Sequence, residues 1–136
     1  MEEIEKARLF EEKIFGSKSP IEKYEGTKIL FRYDEECSPI SFMVSYIRDE
    51  KIYIWLCGTL KNAQNKGLFR SLLKQTIEEY PNEVVSVRTY PEYYTNMYNC
   101  VKKLGFVETE EIRNDPIKGR FVQLEVFNQF LIENLS

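Results

Sequence analysis

The 136-residue chain contains no histidine. That absence removes every Ser-His or Cys-His catalytic pair and the imidazole ligands of most zinc sites, so no metal is expected. Cysteine is sparse as well. Cys37, Cys57 and Cys100 are odd in number and widely spaced, with no Cys-x-x-Cys pair. They read as free thiols in a reducing compartment, small apolar residues rather than a disulfide frame. No apolar run approaches the roughly 20 residues of a membrane-spanning helix, and the start Met-Glu-Glu-Ile-Glu-Lys is no secretory signal. A cytoplasmic protein with no membrane partner is expected. A basic excess is missing too. Lys and Arg number 19 against 22 Asp and Glu, a net charge of −3, which argues against a nucleic-acid partner.

What is present is a globular composition, 43% hydrophobic and 30% charged, at a length that suits one domain over residues 1–136. Ile4, Ala7, Phe10 and Ile14 fall on one stripe of a helix over residues 2–15, with Gly16 as its stop. Ser19-Pro20-Ile21-Glu22 is a capping box with proline at the first helical position, which predicts a second, short helix ended by Gly26. Lys28–Tyr33 and Ile40–Ile47 alternate as strands, and Arg48-Asp49-Glu50-Lys51 is a charged hairpin turn. Ile52–Cys57 is apolar on both faces, the mark of a strand buried centrally in a sheet. A helix follows from Gly67 to before Pro81, then a strand over Glu83–Tyr90 and a helix from Pro91 to Leu104 closed by Gly105. Phe106–Ile112 and Arg120–Phe127 read as the last strands. The tail keeps Phe130, Leu131, Ile132 and Leu135, too apolar for a solvated end, so it packs on the domain or on a partner. Short links favour antiparallel pairing among the early strands, and the strand-helix-strand unit over residues 52–90 implies parallel neighbours.

One stretch points to a ligand. Gln64-Asn65-Lys66-Gly67-Leu68-Phe69-Arg70 carries a polar, glycine-bearing turn from the buried strand into an amphipathic helix. The first N–H groups of a helix lack intrahelical partners and the helix dipole favours negative charge there. Gly67 lets backbone approach a ligand closely, and Lys66, Arg70 and Lys74 add positive charge. The residues alone leave two readings: a pyrophosphate cradle, or an ordinary strand-to-helix connection.

Over residues 28–127 the chain resembles the GNAT-superfamily N-acetyltransferases. Gln64-Asn65-Lys66-Gly67-Leu68-Phe69 is similar to the family's acyl-CoA loop, Gln/Arg-x-x-Gly-x-Gly/Ala, and Lys102-Lys103-Leu104-Gly105-Phe106 to its Tyr-x-Lys-Leu-Gly-Phe ending. The resemblance implies an α/β (α+β) fold, a mixed, mostly antiparallel twisted sheet with helices on both faces. It implies acetyl-CoA as co-substrate and an amine of a small molecule or peptide as acceptor, joined by direct transfer. Trp55, Leu56 and Cys57 would hold the pantetheine arm as an added strand. Gln64, Asn65, Lys66, Gly67, Leu68 and Phe69 would hold the pyrophosphate, and Arg70 or Lys74 a further phosphate.

The chain also departs from the family. Phe69 stands where Gly or Ala is usual, and must point away from the pyrophosphate to leave the cradle open. Val101 occupies the position of the tyrosine that often reprotonates the departing thiolate, and Tyr94 that of a frequent asparagine. Tyr98, one helical turn before Val101, is the substitute donor expected at the catalytic position, ahead of Cys100 and Tyr94. No general base is evident. Asp49 and Glu50 sit at the far hairpin, and Glu92 lies nearer the substrate side as an acidic first-turn residue. Family members begin with a strand before the first helix, so that strand is missing here or comes from another chain, which makes a homodimer a candidate. These departures keep two alternatives open: a non-catalytic CoA-binding sensor of the same fold, and a plain interaction domain whose turn binds nothing.

Overall fold

The computed structural model describes residues 2–17, 19 and 24–135. Helix α1 (Glu3–Phe15) turns Ala7 and Phe10 inward and ends at Gly16, whose left-handed φ of 79° lets its N–H close on the Glu12 carbonyl. The short helix expected from the Ser19 capping box rests on residues 20–23, outside the described residues. No strand precedes α1 among the described residues.

Strands β1 (Lys28–Tyr33), β2 (Pro39–Arg48) and β3 (Lys51–Thr59) form an antiparallel meander. A 3-10 turn (Lys61–Ala63) then leads to helix α2 (Leu68–Glu78), strand β4 (Val84–Thr89) and helix α3 (Thr95–Lys103). Strands β5 (Val107–Asp115) and β6 (Gly119–Phe127) make the second hairpin, and helix α4 (Asn128–Leu135) closes the chain. The six strands lie in one sheet in the order β1-β2-β3-β4-β6-β5. Only β3 and β4 are parallel neighbours, as expected for strands joined by a crossover helix. The sheet is therefore mixed and mostly antiparallel.

Its two faces hold separate cores. On one face α2, α3 and α4 bury Leu72, Leu73, Ile77, Val101, Leu104 and Leu131 against Met43, Ile52, Ile54, Val85 and Leu124. On the other, α1 sets Ala7 and Phe10 on Phe42 and Val44. The apolar tail is thus partly covered within the domain: Leu131 is fully buried, with Ile132 and Leu135 packed beside it, while Phe130 stays half exposed. One boundary differs from the sequence reading. Pro91 to Tyr94 is a turn, and α3 begins only at Thr95. Proline suits a first helical turn, but here Tyr93 and Tyr94 both direct their N–H to the Tyr90 carbonyl and fold the segment back on itself.

One irregularity positions the site. In the β2–β3 ladder Val44 pairs with Leu56 but Ser45 pairs with Ile54, so Trp55 is an extra, unpaired residue. Such a bulge bends its strand and strengthens the local twist. It also keeps Trp55 and Leu56 on the α1 face while Ile54 and Cys57 meet the opposite core. The β3–β4 ladder ends at Ile54–Val87, one residue before the bulge, although β3 runs on to Thr59 and β4 to Thr89. The strands part there, and the sheet opens between them.

Candidate functional site

A groove of about 920 Å³ runs along the part of β3 beyond this ladder. That is near the upper end of small-molecule and cofactor sites, roughly 300–1,000 Å³. Cys57, Gly58 and Thr59 of β3 form one wall, and Met97 and Cys100 of α3 another. The turn before α2 supplies Gln64, Asn65 and Gly67, followed by Leu68, Phe69 and Arg70 from its first turn. Tyr93 and Tyr94 stand at the α3 end.

The turn is built for exposed N–H groups. Asn65 and Gly67 both take positive φ, 63° and 75°, and Gly67 is the N-cap of α2. The first intrahelical bond is from Ser71 N–H to the Gly67 carbonyl. The N–H groups of Leu68, Phe69 and Arg70 therefore have no partner within the helix, and no side chain caps them. A Cβ built on Gly67 would meet nothing within 4 Å. This glycine is needed for its backbone angle, not for room inside the protein, and the space above it belongs to the groove.

The cradle residues separate by role. Phe69 is anchored against the main core, so its ring leaves the main-chain N–H groups free, as the substitution of Gly or Ala requires. Lys66 is exposed and Lys74 half-buried, and neither lines the groove; Arg70 does line it. Its guanidinium also donates to the Asn134 carbonyl at 3.1 Å, and the Asn134 amide donates to the Leu104 carbonyl at 2.9 Å. Helix α4 thus braces both the helix carrying the cradle and the end of α3. Of the three β3 residues expected to hold the pantetheine arm, Cys57 lines the groove, whereas Trp55 and Leu56 turn their side chains to the α1 face. What those two offer toward β4 is main chain. From Trp55 onward β3 has no ladder partner on that side.

The candidate donors fall in different places. Val101 is buried in the core, and sharing its helix side carries Tyr98 toward β5 rather than into the groove. The Tyr98 hydroxyl donates to Glu108 Oε1 at 2.6 Å. That bond raises the Tyr98 pKa above its ordinary value and holds the Glu108 carboxyl below its own. Tyr98 is thus tied up as a structural donor. The other two donor candidates, Cys100 and Tyr94, both line the groove, as do Cys57 and Tyr93. Burial raises the Cys100 thiol pKa, partly offset by Arg70 and Lys103, and pushes Cys57 up to about 12, with Cys100 as its second influence. Both thiols stay protonated at neutral pH, one on each wall. Glu92 is engaged elsewhere, accepting from the Arg120 guanidinium at 3.3 Å.

The sequence reading missed an aromatic cluster at the groove's end. Tyr90, Tyr93 and Tyr94 lie together, Tyr93 and Tyr94 edge to face at 4.8 Å and Tyr90 tilted on Phe121 at 4.6 Å. The signal was the run Tyr90-Pro91-Glu92-Tyr93-Tyr94, which helical periodicity absorbed.

Neither a protein-family model nor a curated protein sequence matches the chain. Solved structures do match its fold. The ribosomal-protein-S18-alanine N-acetyltransferase from Escherichia coli superimposes with a TM-score of 0.72 at 14% identity, over 91% of this chain and 86% of that one. The spermidine N-acetyltransferase from Vibrio cholerae, in complex with CoA and spermine, gives a TM-score of 0.64 at 11% identity, over 79% and 69%. The NatC complex bound to Gag peptide and CoA gives 0.64 at 14%, over 73% and 70%. The chain therefore has the fold of the GNAT acetyltransferases.

Proposed function

We propose that this chain is an acyl-CoA-dependent N-acetyltransferase, moving an acetyl group from acetyl-CoA to an amine of a small molecule or peptide by direct transfer. The observation that carries the proposal is the parting of β3 and β4 after Ile54 and Val87, with the cradle of α2 at the same groove. A closed sheet would leave no main-chain edge for a pantetheine arm; here the β3 edge beyond Trp55 is free to take one as an added strand. The N–H groups of Leu68, Phe69 and Arg70 bind the pyrophosphate, reinforced by the helix dipole. Acetyl-CoA supplies the activated acyl group as a thioester. Solved structures of the same fold that hold CoA, with a peptide or with spermine, support an acyl-CoA and amine pairing.

Cys100 is the residue we assign to reprotonating the CoA thiolate. It faces the groove opposite β3, and its raised pKa keeps the proton available at neutral pH. Proton removal from the acceptor runs through water, because the Glu92 carboxylate is paired with Arg120. Free cysteines suit the reducing cytoplasm as its location.

A calorimetric titration with acetyl-CoA, followed by thioester turnover across an amine panel, tests the reading. Saturable binding and turnover are expected. No binding at millimolar ligand would overturn it. Binding without turnover on any amine would instead select a CoA sensor, the reading that the buried Val101 in the usual tyrosine position favours.

A further inference from the structure

The aromatic cluster at the groove's end already holds a cation. The Lys118 ammonium lies 5.3 Å from the centroid of the Tyr90 ring, 5.4 Å from Tyr93 and 5.7 Å from Tyr94. Three ring faces converging on one ammonium is the arrangement by which proteins recognise alkylated or primary ammonium groups. The rings come from the turn after β4, whereas Lys118 reaches across from the β5–β6 hairpin.

The cage is fixed before any ligand arrives. Tyr93 and Tyr94 are locked to the Tyr90 carbonyl through their N–H groups. Tyr90 is stacked on Phe121, and its hydroxyl accepts from Arg113 at 2.9 Å. Arg113 covers Phe121 at 4.2 Å and lies 6.0 Å from the Tyr90 centroid, so it too braces that ring. Lys118 is held at its backbone, where its N–H donates to Asp115 Oδ1; among the described residues its ammonium has no carboxylate within ion-pair distance. The rings provide its polar environment. Tyr93 is 52% exposed and Tyr94 37%, and both line the groove, so the cage is open to it.

We propose that Tyr90, Tyr93 and Tyr94 form the subsite for a cationic alkylammonium group of the acceptor, and that Lys118 is an intramolecular placeholder the acceptor displaces. The assignment of this cation to an acceptor rests on the acetyltransferase reading; cation binding by the cage does not. The hairpin carrying Lys118 yields the site by swinging a flexible side chain into solvent, which needs no backbone change.

The test is a titration monitored by nuclear magnetic resonance, on the full chain and without acetyl-CoA, so that a failure of acetyl transfer leaves the readout untouched. The probes are n-butylammonium and its neutral counterpart n-butanol. With Lys118→Met, n-butylammonium should bind at least about 5-fold more tightly than to the unaltered protein, with shifts on the Tyr90, Tyr93 and Tyr94 rings, while n-butanol gains little. Lys118→Gln should repeat the gain, and Lys102→Met, which removes a remote charge, should not. Adding Tyr93→Leu to Lys118→Met should abolish most of the gain. Equal gains for the alcohol, an equal gain from Lys102→Met, or no gain in either Lys118 variant would overturn the proposal. Acetyl turnover is then read separately. With the cage established, a lower KM for cationic than for neutral acceptors in Lys118→Met places the acceptor there, and no difference removes the acceptor role while leaving the cation site.

Discussion

Gly67 and Gly16 offer a matched pair for testing the cradle. Both take left-handed backbone angles, φ 75° and 79°, and a Cβ at either would meet nothing within 4 Å. Alanine in that conformation costs about 1–2 kcal/mol, offset by a smaller gain from restricting the unfolded chain. Each substitution should therefore destabilise the protein by about 1 kcal/mol. At roughly 2.1 cal/mol/K of unfolding entropy per residue, that is a fall in Tm of about 3–4 °C for a chain of this size. The two differ in what lies beyond the missing Cβ. At Gly16 it is solvent past the end of α1, whereas at Gly67 it is the groove, directly above the free N–H groups of α2. A methyl group there keeps a phosphate from closing on those donors. A hydrogen bond to a charged group contributes about 1.5–3 kcal/mol, so Gly67→Ala should weaken CoA binding about 10- to 100-fold. Gly16→Ala should leave it unchanged. Thermal unfolding measures the first effect and calorimetry with CoA the second. Equal loss of CoA affinity in both variants would show that the effect is general loosening. No loss in Gly67→Ala would remove the phosphate from this turn.

Other substitutions separate binding from chemistry. Arg70→Gln should weaken CoA more than pantetheine, which lacks the phosphates; equal weakening would trace the effect to the lost contact with Asn134 in α4. Cys100→Ala should lower kcat at least about 10-fold with little change in CoA affinity, and unchanged kcat in steady-state assays would reject Cys100 as the donor. Tyr98→Phe should leave turnover intact and cost under about 1 kcal/mol in thermal unfolding. The pH profile of that small loss follows from the two shifts. Glu108 lies below its ordinary pKa, so its contribution is full above the unfolded carboxylate value and is lost as pH falls through the folded one. Tyr98 lies above its own, so its contribution is full below the unfolded phenol value and is lost as pH rises through the folded one. The variant and the unaltered protein should converge in stability at both acid and alkaline extremes.

The early strands were legible because Lys28–Tyr33 and Ile40–Ile47 alternate apolar and polar residues in sequence, and because Ile52 to Ile54 are buried on both faces at the sheet's centre. Gly16, Gly67 and Gly105 marked helix boundaries through backbone angles that other residues rarely adopt. The acyl-CoA turn was legible for the same reason. The side of α3 that faces the groove was not, since helix spacing alone cannot tell it. With Val101 in the core, sharing its side directs Tyr98 to Glu108, and the groove-facing position falls to Cys100. The tyrosine cage was hidden because its cation lies 24 residues beyond Tyr94 in sequence, on another hairpin. No local pattern joins residues that far apart.

The bulge at Trp55 gives the fold a countable origin for its opening. A deletion of that one residue would restore an unbroken β2–β3 register and exchange no faces: Ile54 and Cys57 would stay with the main core and Leu56 with α1. The bulge adds one residue of backbone between two runs of ordinary alternation, so substitution can reshape what the groove accepts while the offset itself is set by chain length.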